Sequence, residues 1–96
     1  MRKEEIINIL KEVNGEAQQK YKAQVVGLFG SFAREEEKAG SDVDVLVSFE
    51  KGANLLHLVG LSLFLEERLH RPVDVVPHDS IRKEIRDNIL REVIYL

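Results

Sequence analysis

Three short β-prone runs alternate with stretches of helical periodicity, and this alternation limits the possible folds more than any other feature of the chain. The first run, Gln24-Val-Val-Gly-Leu-Phe-Gly30, reads as a buried strand stopped by Gly30. The second, Asp44-Val-Leu-Val-Ser-Phe49, alternates. Val43, Val45, Val47 and Phe49 share one face, and Asp42, Asp44, Leu46 and Ser48 share the other. The third, Arg71-Pro-Val-Asp-Val-Val-Pro77, is short and bracketed by prolines.

The intervening segments follow the helical repeat. Ile6, Ile7, Leu10, Val13, Ala17 and Tyr21 form one stripe over the first twenty or so residues. Gly15 weakens its middle by about 1 kcal/mol relative to alanine, which allows a bend or an early end. Ser31 is placed to cap a short helix over 32–38, broken by Ala39-Gly40-Ser41. Asn54 precedes a long helix to about Leu69, with Leu55, Leu58, Leu61, Leu65 and Leu69 on its main stripe. Leu56, Val59, Leu63 and Phe64 widen that surface, so this helix is either deeply buried or in contact with a partner. Asp79 or Ser80 caps a last helix whose Ile81, Ile85, Ile89 and Val93 face inward. The order is αβαβαβα, an α/β (α+β) chain with no repeats, and its 96 residues allow one domain, 1–96. About a dozen residues join the first two strands. That length permits a tight βαβ crossover or an antiparallel pair with a helical excursion.

Composition narrows the function. Hydrophobic residues are 44% and charged residues 32%, a globular balance, and with no cysteine there is neither a disulfide framework nor a thiolate metal site. No apolar run approaches the roughly 20 residues of a membrane helix, and the N-terminus is unlike a secretory signal. The expected location is the cytoplasm. The net charge of −3 is unevenly spread: six of the 17 acids (Glu35, Glu36, Glu37, Asp42, Asp44, Glu50) and two of the 14 basic residues (Arg34, Lys38) lie between positions 34 and 50. No basic face for nucleic acid is visible. An acidic centre is.

Three features could carry chemistry. Gly30-Ser31-Phe32-Ala33-Arg34 puts a glycine and a hydroxyl between strand and helix, where free N–H groups can hold an anion. On its own it is also the ordinary turn glycine and N-cap. Ser41-Asp42-Val43-Asp44 projects two carboxylates from one strand face, with Cα atoms roughly 6–7 Å apart, a spacing that suits hard cations such as Mg2+. The alternative is a local Ser/Asp turn. Yet Asp44 heads an apolar strand, where an unpaired carboxylate is costly. Asp74 sits inside a valine run. If its strand lies beside the second, Asp42, Asp44 and Asp74 share a face and repel one another unless cations sit among them.

Gly30-Ser31-x-Ala33-Arg34, Ser41-Asp42-x-Asp44 and the later Asp74 together resemble the nucleotidyltransferase superfamily related to DNA polymerase β. More narrowly they are similar to the minimal nucleotidyltransferase (MNT) family, small prokaryotic proteins often paired with a HEPN-domain partner as toxin and antitoxin. The resemblance runs from the strand at Val25 to the last helix, and it rests on the motifs in combination. It implies a small mixed β-sheet flanked by helices with the site at one sheet edge. It implies that Asp42 and Asp44 hold Mg2+, two ions in all, and that Asp74 completes the metal site and helps activate the acceptor hydroxyl. Gly30 and Ser31 would hold the β and γ phosphates. Arg34 reads either as a donor to the leaving pyrophosphate or as a solvated helix arginine. The implied reaction moves AMP from ATP to a hydroxyl, a tyrosine of the HEPN protein in toxin–antitoxin pairs. An in-line displacement at phosphorus needs charge neutralised on attacking and leaving oxygens, which two metals supply.

One position departs from the family pattern. Glycine usually follows the arginine, and here Glu35 opens the run Glu35-Glu36-Glu37. If the backbone there needs positive φ, glutamate is a poor occupant. The run also reads as the solvated face of the short helix. His57, His70 and His78 show no zinc spacing and are expected on the surface or at caps. Two function classes follow: a metal-dependent transferase acting on a partner protein, or an antitoxin-like subunit that neutralises a HEPN partner by contact. Transfer to RNA or an antibiotic would need a basic groove or further domains. The acceptor, the nucleotide base and any homo-oligomer are left open by the residues.

Overall fold

The computed structural model describes all 96 residues, Met1–Leu96. Helix α1 (Lys3–Tyr21) runs unbroken through Gly15, with Ile6, Leu10, Val13 and Ala17 buried. Burial of that stripe outweighs the glycine's cost, so neither bend nor early end occurs. Strands β1 (Ala23–Phe29), β2 (Val43–Phe49), β3 (Val73–Pro77) and β4 (Ile94–Tyr95) form one sheet in the order β3-β2-β1-β4. β1 is antiparallel to β2 and β4, and β2 is parallel to β3. The mixed sheet flanked by helices is therefore the fold.

The open question about the first two strands resolves to an antiparallel pair. Between them lies only helix α2 (Gly30–Arg34), too short to carry a parallel crossover. The parallel step from β2 to β3 is instead spanned by helix α3 (Leu55–Leu69). β4 was not foreseen. Val93, expected on the last helix, is the C-cap of helix α4 (Lys83–Glu92), and the chain then turns onto β1. Gly27 makes room for it: a Cβ there would lie 2.6 Å from Val93 Cγ1 and 2.7 Å from the Ile94 carbonyl oxygen. A bulge in β1 between Val25 and Gly27 sets this approach.

The sheet is covered on both faces. α1 and α3 pack with Val25, Leu28, Val43, Val45 and Val47 into the larger core, and Phe29, Leu46, Ile81 and Val93 form a smaller one on the opposite face. The alternation read from β2 thus places Asp44 and Leu46 on the smaller core's side. Several local expectations change. Ser31 caps nothing, because α2 starts at Gly30 with Phe29 as its N-cap. Asp79 and Ser80 lie in a short 3₁₀ turn (His78–Ser80), and α4 starts at Lys83 without a side-chain cap. Ile85 is 47% exposed rather than inward. On α3, Leu61, Phe64, Leu65 and Leu69 are buried, whereas Leu55 and Leu56, in the turn capped by Asn54, are 70% and 80% exposed. His57 is a capping residue, its Nδ1 accepting the Asn54 N–H at 3.0 Å. No helix is long and apolar enough to cross a membrane.

Candidate active site

Strand register brings the sequence-predicted carboxylates together. Phe29 of β1 pairs with Asp44 of β2, and Asp44 pairs with Asp74 of β3. Residues in register on neighbouring strands point to the same side, so Asp44 and Asp74 stand next to each other, with the Gly30 turn at the end of β1 beside them. Asp42, two residues before Asp44 and just outside the strand, is near enough to add to the repulsion on the Asp44 carboxyl. The site therefore lies at one end of the sheet, where β1 stops and β2 and β3 begin.

Asp44 is the half-buried member of the three, while Asp42 and Asp74 are exposed. Its carboxyl is pushed from its ordinary 3.8 up to about 6, first by burial and then by repulsion from Asp74 and Asp42. Arg34 opposes that rise and Glu92 adds to it. None of the three aspartates has an ion-pair partner. Oxygen-only donors, mutually repelling and unpaired with any cation of the chain, suit a hard divalent ion. They do not form a finished cage, since no three acid or histidine side chains surround a common point.

Gly30 has φ +78°, in the left-handed region, and a Cβ there would overlap the Asp44 carboxylate. Glycine is thus required twice, by backbone conformation and by the close approach of Asp44. Ser31 is half-buried in the first turn of α2. With its capping role gone, its hydroxyl is free for a ligand. Five residues give α2 little dipole, so anion binding at this turn rests on individual donors. The Gly30 N–H and the Arg34 guanidinium are two of them. In this structure both are taken: Gly30 N donates to Glu92 Oε1 at 3.0 Å and Arg34 Nη1 to Glu92 Oε2 at 3.0 Å. Arg34 Nε also reaches Glu36 Oε2 at 3.3 Å. Arg34 is accordingly no free solvated arginine.

None of the three surface hollows, the largest about 520 Å³, includes an aspartate of this site. The carboxylates lie on an open sheet end, accessible to a large acceptor.

The pattern of the family described as "Nucleotidyltransferase domain" matches residues 10–96 of this chain. The chain is a nucleotidyltransferase of that family. Protein adenylyltransferase MntA of Thermococcus cleftensis is 40% identical to it over 93 residues, covering 97% of this chain and 94% of the relative. A candidate protein adenylyltransferase of Methanocaldococcus jannaschii is 44% identical over 75 residues, covering 78% and 81% of the two chains. A solved structure of a candidate minimal nucleotidyltransferase superposes with a TM-score of 0.83 at 36% identity, over 100% of this chain and 97% of that one. A Shewanella oneidensis complex of a tri-AMPylated HEPN toxin with its MNT antitoxin shares the fold, with a TM-score of 0.65 at 17% identity over 94% and 70% of the chains.

Two further residues shape the candidate site. Glu35, at the family's glycine position, has φ +59° as C-cap of α2. The positive φ that glycine would serve is therefore present, and glutamate occupies it at a cost of about 1 kcal/mol. The acidic run is not the face of a helix: α2 ends before it, Glu35 pairs with Lys3 Nζ at 3.1 Å, and Glu36 engages Arg34. Glu92 was missed by sequence reasoning altogether. One signal was available. An acid in the last turn of a helix opposes the helix dipole, so Glu92 calls for a compensating partner.

Proposed function

We propose that this nucleotidyltransferase moves AMP from ATP to a hydroxyl of a partner protein. The observation that carries the reading is the register that pairs Phe29 with Asp44 and Asp44 with Asp74, and so sets the Gly30 turn beside two carboxylates. The names of the relatives at 40% and 44% identity support protein as acceptor class and the adenylyl group as cargo. The fold shared with a HEPN–MNT complex supports a HEPN-domain partner. The whole chain is read as one catalytic domain, 1–96, with the cytoplasm as its location.

Asp42 and Asp44 would hold Mg2+, two ions being the expected number, and Asp74 would complete the site. The metal, when bound, supplies charge neutralisation on the attacking and leaving oxygens. The chain's residues do the rest. The Ser31 hydroxyl and the Gly30 N–H orient the β and γ phosphates, and Arg34 donates to the departing pyrophosphate. A carboxylate oxygen of Asp74 takes the proton of the acceptor hydroxyl as its oxygen bonds to the α-phosphorus. The bond from that phosphorus to the bridging oxygen breaks, and pyrophosphate leaves with the electron pair.

The test uses ATP labelled at the α or the γ phosphate, Mg2+ and a HEPN-domain partner. The α label should reach the partner and the γ label should not. Asp42→Asn with Asp44→Asn should abolish transfer, and transfer that survives the double substitution overturns the catalytic assignment. Glu35 at φ +59° favours a second reading, a weakly active or inactive antitoxin-like subunit that neutralises its partner by contact. A melting temperature that stays unmoved by millimolar ATP and Mg2+ selects this second reading, because a ligand bound only by the folded state must raise stability.

A further inference from the structure

The Gly30 amide and the Arg34 guanidinium are the donors that a phosphate would need, and a single carboxylate bridges them. Glu92 offers one oxygen to each, at 3.0 Å in both cases. A carboxylate with its two oxygens divided between a backbone N–H and a guanidinium has the charge sign and the acceptor pattern of a phosphate edge. It sits where its own helix disfavours it. Glu92 is the last residue of α4, where the exposed carbonyls already present negative partial charge. The bonds to Gly30 and Arg34 thus offset an unfavourable location.

We propose that Glu92 is an internal stand-in for the nucleotide phosphate: it holds the Gly30–Arg34 subsite in the free protein and is displaced when a nucleoside triphosphate binds. This rests on the reading of that turn as the phosphate subsite. Three features let the exchange happen without disturbing the core. Helix α4 has no fully buried residue. The Glu92 side chain is 29% exposed, so a rotamer change releases it to water. The Asp44 carboxylate stays packed against Gly30 whether or not Glu92 leaves. In the free state Glu92 keeps Arg34 aimed at the turn, and its charge excludes other anions. A triphosphate brings more charge and more acceptors, and with its cation it outcompetes one carboxylate. The consequence is an affinity lowered by the fraction of molecules in which Glu92 occupies the subsite.

The test measures binding of ATP and, separately, inorganic triphosphate by calorimetry with Mg2+ present. Glu92→Gln keeps the side-chain shape and removes the charge. It should bind both ligands about tenfold more tightly than the unaltered protein. In an Arg34→Ala background the gain should shrink, because the freed donor is gone. Unchanged or weaker binding by Glu92→Gln overturns the stand-in role and makes Glu92 a strut of the free and bound states alike. If Arg34→Ala binds triphosphate as well as the unaltered protein, the phosphate reading of the turn itself fails, a distinguishable result. The Glu92 side-chain carboxyl carbon, followed by NMR in the unaltered protein, tests the same exchange without any substitution. Its shift should move to that of a solvated carboxylate on saturation with ATP, and a resonance that stays put overturns the displacement.

Discussion

Asp44→Asn should stabilise the metal-free protein at neutral pH. The side chain it alters is half-buried, faces Asp74 and Asp42, and has a carboxyl raised from 3.8 to about 6. In the unfolded chain that group titrates near its ordinary value, so between about pH 4 and pH 6 the folded state binds the proton more tightly. Folding stability therefore falls as pH rises through this window, and the deficit is constant above it. At about 1.36 kcal/mol per pKa unit the gap amounts to roughly 3 kcal/mol, and solvent reaching the exposed half reduces this to about 1–2 kcal/mol. Asparagine keeps the shape and removes the charge, so the variant should gain about 1–2 kcal/mol at pH 7, or about 5–10 °C in melting temperature for a chain of this size. Urea unfolding in EDTA at pH 4, 5, 6 and 7 measures it. The advantage of the variant should be close to nil at pH 4 and grow to its full value by pH 7. An equal or lower stability at pH 7, or a difference that does not change with pH, refutes the account of the aspartates as an uncompensated cluster.

Mg2+ should reverse that ranking by raising the melting temperature of the unaltered protein in proportion to the logarithm of its concentration, while the Asp42→Asn, Asp44→Asn double variant stays flat in the same scan. Gly30→Ala should lower stability by about 2–4 kcal/mol in chemical unfolding, because it adds left-handed strain to an overlap with the Asp44 carboxylate; a loss below about 0.5 kcal/mol contradicts that geometry. Glu35→Gly should raise stability by about 0.5–1 kcal/mol, the relieved strain exceeding the exposed pair with Lys3, and a drop in melting temperature contradicts it. Leu56→Asp, at an 80% exposed position, should change stability by less than about 0.5 kcal/mol in the isolated protein, and a larger loss shows that this leucine belongs to the protein's own core.

Much of this arrangement is written in local sequence, and what is missing is missing for physical reasons. The alternation of Val43, Val45 and Val47 against Asp44 and Leu46 follows from the two-residue strand period, and both faces of β2 pack as that period requires. Strand direction was not legible, since a dozen residues between strands fit two topologies. The length of α2 decided it. β4 escaped because two residues carry no period, and its place is fixed by Gly27 and the bulge in β1. Ser31 was misassigned as a cap because Gly-Ser before a helix usually is one; here the helix starts one residue earlier, at Gly30 itself. Asp44 and Asp74 stand out as carboxylates within apolar strands and Asp42 by its two-residue spacing from Asp44, and the parallel register of β2 and β3 supplies the convergence that sequence left conditional. Glu92 stands in the sequence only as an acid at a helix end, and the partner that gives it a role, Gly30, lies 62 residues away.

The charges around the site divide by what compensates them. Glu92 and Glu36 are tied to Arg34, and Glu35 is tied to Lys3. Asp42, Asp44 and Asp74 have no cationic side chain as partner. A chain with 14 basic residues could have placed one among them, and such a lysine or arginine would have relieved the repulsion that raises Asp44. It would also have filled the position a divalent ion needs. Leaving the aspartates unpaired keeps the protein less stable than it could be, and it keeps the site open to a cation that arrives with its substrate. The stability gained by Asp44→Asn and the Mg2+ response lost with it are therefore two measurements of one quantity, the charge that the fold leaves uncompensated. A variant that gained the stability yet kept the full Mg2+ response would separate them and move the cation site away from Asp44.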